Sequence, residues 1–248
     1  VSPLPTRKDE AWRYSDLDAL APVWPRDAVE HVTVAAGEAY VRQIVQIAGP
    51  DEVVVRNLDL TLQAGATATL HLLNAGGKLG RIAIDVTLHE GAAFSLGAVQ
   101  LGSGEQTVEI VTTVRHIEPE ATSRQTVRSI VAKKATASYL GKVAVARKAQ
   151  KTDSVQSVKA MLLDRTATAN AKPELEIYAD DVKCTHGATV GELDSQAMFY
   201  LASRGLPPET AKTLLLQAFI AEVFGDVADE AVKMRLEEAA LAALEAMV

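Results

Sequence analysis

Between about residues 31 and 190, apolar and polar side chains alternate in short runs rich in Val, Ile, Thr and Ala, such as "DLTLQAGATATLHLL" and "IAIDVTLHEGAAFSL". A period of two sends successive side chains to opposite faces of a strand. The runs are punctuated by a recurring small corner: Leu62-Gln63-Ala64-Gly65-Ala66, Leu88-His89-Glu90-Gly91-Ala92, Ile117-Glu118-Pro119-Glu120-Ala121 and, last, Thr185-His186-Gly187-Ala188. Strand, corner and strand, repeated at irregular spacing, predict stacked coils: a mainly β fold, a β-solenoid in which each coil buries its inner face against its neighbours. A β-sandwich is the competing arrangement. Two features count against it. Asn-Gly and Asp-Gly hairpin loops are scarce. Aromatic residues make up only 4% of the chain, and a narrow lumen takes small and β-branched side chains more readily than rings.

The pattern changes at both ends. Residues 1–30 contain "TRKDEAWRYSDLDAL", where Thr6 is expected to cap a short helix carrying Trp12 and Leu17. Residues 31–192 form the β region. From residue 193 to 248 the period is helical: Asp194 caps "SQAMFYLASR", Gly205 ends it, Pro207-Pro208 open "ETAKTLLLQAFIAEVF", and a third helix begins near Asp226 with Val232, Leu236, Leu241 and Leu244. The second helix bears Leu214, Leu215, Leu216, Phe219, Ile220, Val223 and Phe224. That stripe is too broad for a helix resting singly on one surface. Either the three helices bury it among themselves or one face receives a partner.

Composition narrows the classes. Apolar residues are 48% of the 248, yet no run approaches the roughly 18 needed to cross a bilayer. The opening "VSPLPTRKDEAWRYS" has no apolar signal region, and Val1 fits an initiating methionine that has been removed, so a soluble cytoplasmic protein is expected. A single cysteine rules out an internal disulfide. The net charge of −7 argues against a nucleic-acid surface, which needs clustered Lys and Arg, and leaves proteins or small ligands as partners.

The sequence contains no G-x-x-x-x-G-K-[ST], H-E-x-x-H or G-x-S-x-G. Gly102-Ser103-Gly104 reads as a turn. Asp180-Asp181 could suggest a carboxylate pair, but neighbours on a strand face opposite ways, so a solvated turn is expected. There remains "DDVKCTHGATVGELD", with Cys184 and His186 two positions apart. In a strand they share a face, roughly 6–7 Å apart. Thiolate suits zinc and iron–sulfur centres, and imidazole can replace a thiolate on iron. Two ligands do not close a four-ligand site, so a centre here is shared with another chain or held transiently. The alternative is a cysteine acting as a small hydrophobe beside a satisfied histidine.

The stretch "PELEIYADDVKCTHGATVGELDSQAMFYLASRGL", with "AKTLLLQAFIAEVF" and the opening "LPTRKDEAWRYSDL", resembles the SufD family of iron–sulfur cluster assembly scaffolds. The resemblance implies a right-handed parallel β-helix with a C-terminal α-helical domain. It also implies a non-enzymatic role, pairing with SufB and binding the ATPase SufC. An uncapped β-helix end exposes unpaired strand edges, so a homodimer is expected of the isolated chain. Cys184 and His186 are then the cluster-assembly residues near the SufB interface, and any cluster is transient and shared with SufB. SufC docking on the helical domain is implied for the stripe of Leu215, Phe219, Ile220, Glu222 and Val223, with ATP hydrolysis there driving a rearrangement that exposes the site. Many family members have a helical segment ahead of the tryptophan motif and more coils in the solenoid, which implies a trimmed assembly here. Two other functional classes remain to be weighed: a polysaccharide-active β-helix lyase or hydrolase, and a purely structural partner.

Overall fold

The computed structural model describes residues 3–25 and 28–247; Val1 lies outside them. Twelve strands form two six-stranded sheets. The odd-numbered strands make one sheet, in the order β1 (Val29–Val34), β3 (Val53–Leu62), β5 (Leu79–Leu88), β7 (Thr107–His116), β9 (Thr136–Val145) and β11 (Thr168–Ile177). The even-numbered strands make the other: β2 (Ala39–Ala48), β4 (Thr67–Gly76), β6 (Ala93–Gly102), β8 (Thr122–Val131), β10 (Asp153–Leu162) and β12 (Lys183–Glu192). Every pairing is parallel. The chain therefore passes from one sheet to the other and back in each coil, giving the expected parallel β-helix.

One corner shows why the small-residue units recur. Gly37, Gly65 and Gly91 have φ between +63° and +73°, a left-handed conformation that costs a residue with a Cβ about 1–2 kcal/mol. Each turns its N–H along the solenoid onto the next corner: Gly37 to Ala64 O (3.0 Å), Gly65 to Glu90 O (2.8 Å) and Gly91 to Pro119 O (3.0 Å). Glu120 (φ 62°) and Lys151 (φ 60°) continue this ladder without glycine. The fourth expected corner is a correction: Thr185–Ala188 lie inside β12, and the corresponding turn is Tyr178–Val182.

Inside, residues in register stack into columns. Leu72, Ala98, Val127 and Val158 form one of them, and Leu60, Val86, Val114 and Val143 form another on the opposite sheet. Outside, residues 3–25 lie as a strap on the odd sheet. Thr6 does not cap a helix there: Asp9 Oδ2 accepts from Thr6 N (2.7 Å), and the segment forms a short 3-10 turn at Glu10–Trp12 and a single α-turn, α1 (Leu17–Leu20), capped by Asp16. The Trp12 ring lies 3.8 Å from the Arg81 guanidinium, while Arg81 and Ser15 both bond the buried Glu109 carboxylate.

Three helices follow the solenoid: α2 (Ser195–Ser203), α3 (Pro208–Phe224) and α4 (Glu230–Glu245). Asp194 caps α2 through Gln196 N and Ala197 N, and Gly205 follows its end, as expected. The third helix starts later than expected, capped by Asp229 rather than near Asp226. Leu216, Ile220, Val223 and Phe224 of α3, with Leu236, Ala240 and Leu244 of α4, pack on the outer face of the even sheet at Leu73, Val99, Leu101 and Ile130. Leu216, Ile220, Val223 and Phe224 of the broad apolar stripe are thus buried on the solenoid wall, a surface that helical periodicity alone does not reveal, while Leu214 stays exposed.

Candidate functional site

β12 is the last strand of its sheet and pairs only with β10, so one of its edges has no neighbour among the described residues. Cys184 and His186 sit on it opposite Ser154 and Gln156. Ser154 and Gln156 are buried lumenal residues, and Cys184 packs on the same apolar core. The pair therefore shares the lumenal face at the open end of the β-helix. Cys184 is half-buried and His186 exposed. Burial pushes the Cys184 thiol up, the Asp153 carboxylate adds to this, and a hydrogen bond from the Ser154 backbone works against both. A metal ion or a neighbouring cation would have to draw off that proton before the sulfur could act as a ligand.

Among the described residues no group of three or more His, Cys, Asp and Glu side chains converges as a metal site. Cys184 and His186 bring a thiol and an imidazole to one face, two groups where a closed metal site takes four. Asp181 lies in the corner before β12, where its backbone N–H donates to Gln150 Oε1 (2.9 Å), a turn role as expected for Asp180-Asp181. Gly102-Ser103-Gly104 is also a turn, at the end of β6.

The lumen beneath the pair changes character along its length. In the column ending at Cys184 the residues run Ala68, Phe94, Ser123, Ser154; in the column ending at His186 they run Leu70, Leu96, Gln125, Gln156. His116 Nε2 meets Ser123 Oγ at 2.9 Å, and Ser123 Oγ meets Ser154 Oγ at 2.9 Å. Burial holds His116 neutral, its pKa lowered to about 4. These polar residues escaped the sequence reading. Their signal was available: Ser and Gln at positions where the earlier coils place Leu, Ala and Phe.

The expected partner-binding stripe needs correction. Ile220 and Val223 are buried against the even sheet, at 1% and 2% exposure, and so offer nothing to a partner while α3 is seated. Glu222 is held by Arg128 of β8, Nη2 to Oε1 at 2.7 Å and Nε to Oε2 at 2.9 Å. Leu215 and Phe219 are half-buried. The apolar side chains that remain open on the helices include Phe199, Tyr200 and Leu214, exposed at 76%, 56% and 44%.

Residues 27–219 match the family model described as "SUF system FeS cluster assembly, SufBD core domain". The chain belongs to the SufBD core family. It is 35% identical over 179 residues to the iron–sulfur cluster assembly protein SufD of Escherichia coli, covering 72% of this chain and 42% of that one. It is also 35% identical over 167 residues to the SufBD family protein slr0076 of Synechocystis (67% and 37% covered), and 38% identical over 153 residues to the chloroplastic protein ABCI7 of Arabidopsis thaliana (61% and 32% covered). The chain thus spans less than half the length of these relatives. Membership in the SufBD family displaces the polysaccharide-active alternative. No described helix is long and apolar enough to cross a membrane.

Proposed function

We propose that this protein is a non-enzymatic scaffold subunit of SUF iron–sulfur cluster assembly. It pairs with a SufB-type chain through the open end of its β-helix and contributes Cys184 and His186 to a nascent cluster that is the assembly's cargo. The observation that carries this reading is the placement of a thiol and an imidazole on one face of a strand whose outer edge is unpaired. A second chain adding a strand there would satisfy the free backbone N–H and C=O groups. It would also bring its own ligands to the two that β12 offers. The surrounding chain's part is to hold the pair on one face and to exclude water once the end is covered. An isolated chain could use the same edge for a homodimer.

A SufC-type ATPase is assigned to the helical segment, with Phe199, Tyr200 and Leu214 as its contacts and Leu215 and Phe219 at their margin. Burial of Ile220, Val223 and Glu222 gives those three a different part: they hold α3 on the solenoid, so a pull on the helices would be felt at β8. The test is co-expression with SufB and SufC homologues, purification, and iron and sulfide analysis. The expected result is a stable complex whose cluster content is lost in Cys184→Ala and in His186→Ala while the subunits stay together. Full cluster assembly in both variants would reduce the chain to a structural partner. Retention of the ATPase by Phe199→Asp and Leu214→Asp chains would remove the docking assignment.

A further inference from the structure

We infer that Gln156 is a positioning residue for His186, accepting one imidazole N–H so that the other ring nitrogen presents its lone pair at the open end. This rests on the role proposed above for His186. It starts from donor counting in the lumen. Thr112 Oγ1 donates to Gln125 Oε1 (2.8 Å), and Tyr139 Oη donates to the same oxygen (3.0 Å). With its one proton used, the Tyr139 oxygen accepts from Gln156 Nε2, at 3.4 Å. In this network the Gln156 amide turns its nitrogen to Tyr139, and its in-register neighbour Gln125 keeps an Nε2 with no acceptor. Gln156 Oε1 is left buried and with no donor, in a side chain that is only 1% exposed.

A buried amide oxygen without a partner costs about 1–3 kcal/mol and is rare enough to call for a cause. The cause lies one strand away. Gln156 is in register with His186, and neighbouring strands are about 4.8 Å apart, so a rotation about the His186 side-chain bonds brings a ring N–H onto Oε1. Imidazoles that bind metals commonly donate their other N–H to a carbonyl or carboxylate, which fixes the tautomer and ring orientation. In the same column the next coil places Gln125, whose oxygen is already bonded by Thr112 and Tyr139, and the two beyond it place Leu96 and Leu70. Gly141 supports the arrangement from the opposite sheet: a Cβ there would overlap the Tyr139 ring, so only glycine lets the phenol reach the two glutamines.

The experiment is long-range 1H–15N NMR on the whole chain labelled in its five histidines, with His186→Ala identifying the resonances. One dominant tautomer at His186 in the unaltered chain is expected. It should be lost in Gln156→Met, which keeps the volume but removes the acceptor, and kept in Gln156→Glu, which retains one. Averaged ring nitrogens in the unaltered chain would overturn the inference, whether or not either variant folds, as would an unchanged tautomer in a folded Gln156→Met. In the assembled complex, Gln156→Met should lower cluster formation about tenfold or more, with Gln156→Glu recovering part of it. Full cluster assembly in both Cys184→Ala and His186→Ala would sink the proposed function and leave the tautomer result standing, so the two failures are distinguishable.

Discussion

Replacing Glu222 by Ala tests whether α3 is locked to the solenoid by a charge pair rather than by apolar contact alone. Arg128 is 1% exposed and uses all five guanidinium protons: two on Glu222, one on Val127 O (2.9 Å), one on Ser157 O (3.0 Å) and one on Ser157 Oγ (3.2 Å). The substitution orphans two of those donors and leaves a buried cation facing only neutral oxygens. Breaking a fully buried pair costs about 3–5 kcal/mol, and an unsatisfied buried donor about 1–3 kcal/mol. The Glu222 side chain is itself 46% exposed, so water enters where it leaves, and surface screening discounts the upper figure. The expected loss is about 2–3 kcal/mol, or roughly 30- to 140-fold in the equilibrium for lifting α3. Hydrogen exchange of α3 amides reads that equilibrium directly.

The same pair makes a pH statement with a definite sign. Hydrogen bonds from Arg128, helped by Lys159, hold Glu222 down from the ordinary 4.5 to about 2. A depressed carboxylate contributes stability that is fully present above pH 4.5 and lost as pH falls toward 2. In the unaltered chain the protection of α3 amides, taken relative to the intrinsic exchange rate at each pH, should therefore fall as pH drops through that window, and in Glu222→Gln it should be nearly flat. Joint replacement of Arg128 and Glu222 by Met removes both desolvation and pairing, so it should cost less than Glu222→Ala. An α3 exchange rate in Glu222→Ala within about threefold of the unaltered chain, below roughly 0.7 kcal/mol, would refute the lock.

Other substitutions probe different links. Gly97→Ala places a methyl 2.8 Å from Val223 O, and should cost about 1–3 kcal/mol by thermal unfolding while speeding α3 exchange. Gly91→Ala has open space but φ +63°. It should lose about 1 kcal/mol from the backbone alone, whereas Glu120→Gly at the equivalent corner should gain up to about 1 kcal/mol in urea unfolding. His116, held to about 4 against an ordinary 6.5, makes the unfolded chain bind a proton that the native one refuses. Urea midpoints should therefore fall between pH 6.5 and 4, and His116→Asn should flatten that slope. In the isolated chain, β11 and β12 amides should exchange faster than those of β4 to β8 and slow when a SufB-type partner is added; an unchanged rate would remove the edge from the interface.

The coils were readable because a corner must adopt a left-handed turn and a strand must alternate, and both leave local marks at Gly65, Gly91 and the runs between them. Thr185–Ala188 misled because a small, polar quartet looks alike in a corner and in a strand; only its pairing with Val155–Val158 of β10 decides. The helices were readable from Asp194 and Pro207-Pro208, since capping is local. Their docking surface was not, because a stripe of Leu216, Ile220 and Val223 says that burial occurs without saying on what. The strap was least readable: Ser15 on Arg81 and Ser15 on Glu109 join residues 66 and 94 positions apart. For the candidate site, Cys184 and His186 declared themselves by rarity. Gln156 did not, since a glutamine gains its meaning from an unpaired oxygen that exists only in the folded lumen.

The lumen itself ties stability to the proposed role. A β-helix earns its stability from apolar columns, and the early coils follow that rule with Leu70, Leu96, Ala68 and Phe94. From β8 onward the same columns carry Ser123, Gln125, Ser154 and Gln156, side chains that lose water on burial and regain only part of it in hydrogen bonds. The helices do not offset this at the far end, since α3 and α4 lie over β2 to β8. Polar residues thus accumulate in these two columns from β8 to the open end, and Ser154 and Gln156 lie immediately beneath Cys184 and His186. Folding alone gives no reason to place unsatisfied amides near an open end. A strand that must remain open for a neighbour, and an imidazole that must be aimed when the neighbour arrives, give one.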